Sequence, residues 1–228
     1  MSTTASNQRV NISKWIIVTG LITLAITIIR LIGELQHWNS ALFNPSAGGG
    51  FAPIGIVWLV PILGIYFALK LNAAGMGPRS LGQVFLFVVI ALAVIIAFFA
   101  IGSALKLPPG GPAFAVVGAV SAIIAILIMQ RPWPALFRTL LAYGYAARIP
   151  VAILMIFAIQ GNWGTHYDVA PNADFPAMPW LEKWFLIGAI PQLIGWIAFT
   201  VMIGSLFGAI AVVIANRLRT REHVPATP

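Results

Sequence analysis

The sequence has no cysteine. Disulfides, thiolate-held metals, iron–sulfur clusters and lipid attachment through a cysteine are therefore excluded, and nothing marks a redox compartment. Charge is nearly as scarce: Asp, Glu, Lys and Arg make up 8% of the residues, against about a quarter in soluble domains. The acids are Glu34, Asp168, Asp174, Glu182 and Glu222. Only Glu34 falls within an apolar stretch, which leaves too few buried carboxylates for a proton or cation pump. The histidines, His37, His166 and His223, all lie outside the apolar stretches, so a haem held between two intramembrane imidazoles is excluded. No zinc-protease, nucleophile-elbow or phosphate-loop motif occurs, and Ser103, Ser121 and Ser205 have no histidine nearby in sequence. No catalytic residue and no cofactor is expected.

What the chain has in abundance is apolar surface. Hydrophobic residues make up 60% of the 228, and the mean hydropathy is +0.96. Six runs stand out, at 15–35, 54–69, 84–105, 113–129, 136–160 and 184–215. Each is long enough, or nearly so, to cross a hydrocarbon core ~30 Å thick. Turn-forming residues separate them: Asn44-Pro45 with Gly48 to Gly50, Gly77-Pro78, Pro108 to Pro112, and Pro132-Trp133-Pro134. The expected fold is an all-α integral membrane bundle of about six transmembrane helices, one domain over 15–216 with outer loops at 36–53 and 161–183. Pro61 is expected to bend the second span. Pro191 is expected to set 184–190 apart from a final span beginning near Gln192.

The cations orient this bundle. With the N-terminus inside, Arg9, Lys14, Lys70, Arg79, Arg131, Arg138, Arg217, Arg219 and Arg221 fall on the inner side, and only Lys106 and Lys183 on the outer. That asymmetry predicts cytoplasmic termini, with a tail over 1–14 and a basic tail over 217–228. The net charge of +8 thus reads as membrane orientation, not nucleic-acid binding. The first run is longer than a signal-peptide core and lacks a small-residue cleavage site, so it is expected to stay as a span. A bacterial inner (cytoplasmic) membrane is the expected location.

Polar residues inside the spans are the candidates for function. Arg148 lies near the middle of the fifth run, where an arginine costs about 2.5–3.5 kcal/mol to insert and faces protein or a water-filled cavity. Helical spacing places Arg138 and Tyr145 on its stripe, and with Arg30 these form a candidate site for an anion or lipid headgroup. The competing reading is structural: Pro150 cannot donate to the carbonyl of Ala146, and Arg148 would satisfy it. Arg30, Glu34 and His37, spaced by four and three, share a helical face as an ion pair with a titratable neighbour. Glu34, His37, His166, Asp168 and Asp174 all fall on the outer side as a polar cluster. A His-x-Asp pair is no metal signature, and no metal is expected. Gly204 and Gly208 form a small-xxx-small seam for close helix packing, within the chain or between copies.

These residues lead to a ranked expectation. First stands a non-catalytic accessory or partner-binding membrane subunit, in contact with lipids and with another membrane protein or a second copy. Next comes a small transporter or channel for an anionic or amphipathic solute using the intramembrane arginines. Lipid-headgroup binding and an intramembrane enzyme follow.

Overall fold

The computed structural model describes residues 11–49, 52–108, 110–171 and 177–222, with side chains to residue 219. Every regular element among them is helical. The helices are α1 (Ile12–Leu35), α2 (Leu59–Ala73), α3 (Leu81–Ala104), α4 (Pro112–Met129), α5 (Pro134–Gly161), α6 (Trp180–Lys183) and α7 (Trp196–Glu222). Two π-helical segments, Trp184–Ala189 and Pro191–Gly195, join α6 to α7, so the helical path runs unbroken over the 40 residues Trp180–Arg219. Five helices are long and apolar enough to cross a membrane, while α2 is a shorter apolar helix.

Local sequence accounts for most of the boundaries. Asn11 and Ser80 cap α1 and α3 by accepting the backbone N–H of Lys14 and Gln83. Pro112 and Pro134 open α4 and α5 at positions where the missing N–H has no intrahelical partner anyway. The second span corrects the expectation from Ile54. It starts at Leu59 and has 15 residues, about 22 Å at 1.5 Å per residue. Pro61 lies in its first turn, where proline is tolerated, and so starts this helix instead of bending its middle. Pro191 does not separate an outer piece either. The chain widens around it, with the N–H of Ile190 bonded to the carbonyl of Phe185 and that of Trp196 to that of Pro191. These five-residue steps carry the helix past a residue that has no N–H to give.

The final helix is the hub, with α7 packed on α2, α3, α4 and α5; α3 pairs with α4, and α1 lies on α5. The Gly204–Gly208 seam is used internally. A methyl added at Gly64 would collide with the backbone of Gly204, and one added at Gly208 with Ala68 and the carbonyl of Gly64. The core between α2, α5 and α7 is built from Phe67, Leu71, Trp133, Leu136, Leu140 and Val201, all nearly inaccessible. Outward faces are aliphatic, as lipid requires: Ile17, Leu21, Val89, Ile96 and Val116 are all exposed. A cavity lies between α3, α4, α5 and the π-helical segments that lead into α7.

Candidate functional site

The first polar group sits where α1 ends. Arg30 and Glu34 are one turn apart, and Arg30 Nε donates to Glu34 Oε1 at 2.8 Å. Arg30 Nη2 donates to the carbonyls of Asn44, at 3.2 Å, and Gly49, at 2.9 Å. Gly49 has a φ of 72° and stands so close that a methyl there would strike Nη2. The other partner of Glu34 is His166, 132 residues away, whose backbone N–H donates to Oε2 at 2.9 Å. Its ring nitrogen Nδ1 lies 2.6 Å from Oε1 and 2.8 Å from Oε2. Burial pushes the imidazole below its ordinary value of 6.5, with Glu34 pulling it back up and Arg30 adding to the fall. The ring of Tyr167 lies tilted against that of His166, 3.8 Å between centres, and burial raises its phenol.

Asp168 holds the loop that presents His166. Its carboxylate accepts the N–H of Gly164 at 2.9 Å and both the N–H and hydroxyl of Thr165, at 2.8 and 2.7 Å. That is a folded turn with its acid consumed locally, not a ligand cage. Among the described residues no group of three or more His, Asp or Glu comes together to hold a metal. His37 stands apart: helix α1 ends at Leu35, and the backbone of His37 turns to a left-handed φ of 53° that takes it off the helical face. Asp174 lies outside the described residues.

The second polar group is centred on Arg148, which is 4% exposed. Its Nη1 donates to Gln192 Oε1 at 3.0 Å, and its guanidinium lies over the ring of Trp196, 4.4 Å from the centroid. Its Nη2 is buried with no hydrogen-bond partner among the described residues. An unmade bond of this kind costs about 1–3 kcal/mol, more for a charged group. The expected stripe of Arg138, Tyr145 and Arg148 does not form a site. At 100° per residue Tyr145 is about 60° and Arg138 about 80° away from Arg148 around the axis, and both are exposed. Tyr143 is the inward tyrosine instead, hydrogen-bonded to Thr23 of α1 at 3.0 Å.

Arg148 lines a cavity of about 710 Å³, which also reaches Arg30, His166 and Tyr167. The wall is mainly apolar, with Leu92 and Phe99 from α3, Phe114 from α4 and Met155 from α5 among its residues. One cavity therefore touches both arginines. Arg30 meets it bound through Nε and Nη2 to Glu34 and two carbonyls; Arg148 meets it bound through Nη1 to Gln192, with its buried Nη2 unpartnered among the described residues.

The sequence singles out Arg148, Arg30, Glu34 and His166, and marks Gln192 only as the start of the final span. It passes over Trp196, Tyr143 and the buried threonines Thr19, Thr23 and Thr27 that turn the polar face of α1 toward α5. Their signal is the four-residue spacing of Thr19, Thr23 and Thr27, which steps on by three to Arg30 and by four to Glu34. No family model matches the chain, and no curated protein or solved structure matches it.

Proposed function

We propose that the protein binds an anionic amphiphile within the membrane and acts as a small carrier for it. The ligand class is an apolar chain ending in a negatively charged group, for which membrane lipids are the nearest source. One observation carries this reading: among the described residues Arg148 is buried with no acid beside it and with Nη2 unpartnered, and its side chain borders a mainly apolar cavity. A protein has little reason to hold a central arginine in that state unless something else completes it. An anion would neutralise the charge and accept the free hydrogen bond, while the apolar wall covers its chain. The same reading keeps six crossings with both termini cytoplasmic, in a bacterial inner membrane. The support for that orientation is the excess of Lys and Arg on one side of the loops. The accessory-subunit reading loses one argument, because the Gly204–Gly208 seam is occupied within the chain.

The test is extraction of the chain purified in a non-ionic detergent, with mass spectrometry of what is released. Near-stoichiometric anionic amphiphile is expected from the native protein and little from an Arg148→Gln variant. Equal recovery from the two would sink the reading.

A further inference from the structure

Resting on that reading and going one step past it, we infer that the ligand's headgroup is a carboxylate and that Gln192 selects it together with Arg148. A guanidinium only donates, so the half of the Gln192 amide facing Nη1 must be its oxygen. The other half, Nε2 with its two hydrogens, is then left as a donor on a residue that lines the cavity. Arg148 Nη2 and Gln192 Nε2 are thus two donors, one cationic and one neutral, on side chains joined by the Nη1–Oε1 bond. A planar carboxylate carries two acceptor oxygens on one carbon and a single negative charge, and it matches such a pair group for group.

Charge count separates this headgroup from a phosphate monoester. A dianion needs a second positive charge, and the other arginine on the wall has none to give. Arg30 is paired with Glu34, and its Nη2 is engaged by the carbonyls of Asn44 and Gly49. Size points the same way: about 710 Å³ lies within the roughly 300–1,000 Å³ of small-molecule sites, room for one chain and not for an enclosed two-chain phospholipid. The backbone supports the assignment. Gln192 stands in the π-helical segment Pro191–Gly195, one residue after the proline that the helix widens to pass. Single π turns of this kind are frequent at functional sites because they re-aim side chains. The same segment hands over to Trp196, whose ring lies against the guanidinium.

The experiment is equilibrium binding of radiolabelled dodecanoate to the full chain in a non-ionic detergent at mildly alkaline pH. Dodecyl phosphate and dodecan-1-ol serve as competitors. Dodecanoate is expected to bind at least about tenfold more tightly than either competitor. Gln192→Glu builds a carboxylate against Arg148 and should weaken dodecanoate by about a hundredfold while melting at or above the native temperature. Gln192→Leu, which removes one neutral donor and adds no charge, should weaken it by about tenfold. Unchanged dodecanoate binding in both variants would overturn the role of Gln192, and tighter binding of dodecyl phosphate would overturn the carboxylate; each result leaves the anionic-amphiphile reading standing. If dodecan-1-ol competes as well as either anion on the native chain, that underlying reading falls.

Discussion

Arg30 and Arg148 are 8% and 4% exposed, yet the chain surrounds them in different ways. Arg30 has an acid one turn away, two backbone carbonyls against Nη2, and a histidine closing the far side of that acid. Arg148 has one amide oxygen, one indole face and an unpartnered nitrogen. The first group closes the end of α1 against the loops at 44–49 and 162–171. The second is incomplete as it stands and opens on a cavity. A buried charge with its own acid beside it is read as structural; one without an acid and with a donor unpartnered is the better candidate for a ligand.

The largest expected effect breaks this comparison at its strongest point. Glu34→Ala strips Arg30 of its counter-charge and takes the partner from the backbone N–H and Nδ1 of His166. Breaking one partner out of a buried ion pair costs about 3–5 kcal/mol, and the thermal melt of the purified variant should fall accordingly. Arg148→Met removes a charge that lacks an acid, so its stability should stay within about 1 kcal/mol of native or rise. A variant Arg148→Met that melts as low as Glu34→Ala would place both arginines in the structural class and remove the basis of the proposed site.

A smaller effect sharpens the Arg30 side. Gly49 has a left-handed φ of 72°, and a methyl there would strike Arg30 Nη2. Gly49→Ala combines backbone strain with a lost carbonyl contact, at roughly 1–3 kcal/mol. Gly48 has a φ of 68° but nothing within reach of an added methyl. Gly48→Ala therefore carries strain alone, and the difference between the two melts measures the arginine contact. Equal losses would mean that Gly49 is conserving its turn and not the guanidinium.

The legible and illegible parts of the molecule divide along the same lines. Helix positions were readable because hydropathy and Pro/Gly punctuation are local: five expected runs recur as α1, α3, α4, α5 and the long helix ending in α7. The second differs because Pro61 fits a first turn as well as a kink, and sequence pattern does not choose between them. Arg30 and Glu34 were paired correctly, since a four-residue spacing fixes them on one face before any fold exists. His37 was placed beside them by extending that face two residues past the actual end of the helix at Leu35. His166 reached Glu34 from 132 residues away, and no local rule contains that distance. The pairing of Arg148 with Gln192 is hidden for the same reason, and Tyr145 was preferred to Tyr143 because a stripe drawn by alternating threes and fours drifts around a real helix.

The smallest expected effect concerns His166, and its sign follows from burial. In the folded chain the imidazole is held below its ordinary value of 6.5, chiefly by loss of solvent, with Arg30 adding to this and Glu34 and Asp168 opposing it. The unfolded chain takes up its proton near the ordinary value, and the folded chain resists until lower pH. Between those two values the unfolded state binds more protons, so the stability this group contributes is present above the ordinary value and is lost as the pH falls through the folded one. The melting temperature of the native chain should therefore drop between about pH 7.5 and about pH 5. His166→Gln, which keeps a side-chain donor for Glu34 and has no proton to gain, should flatten that slope while Arg148→Met leaves it unchanged. A melting temperature that rises on acidification would mean that His166 is folded in as a cation. Glu34 would then balance two positive charges, and the Arg30 group would be left with an uncompensated charge like that of Arg148.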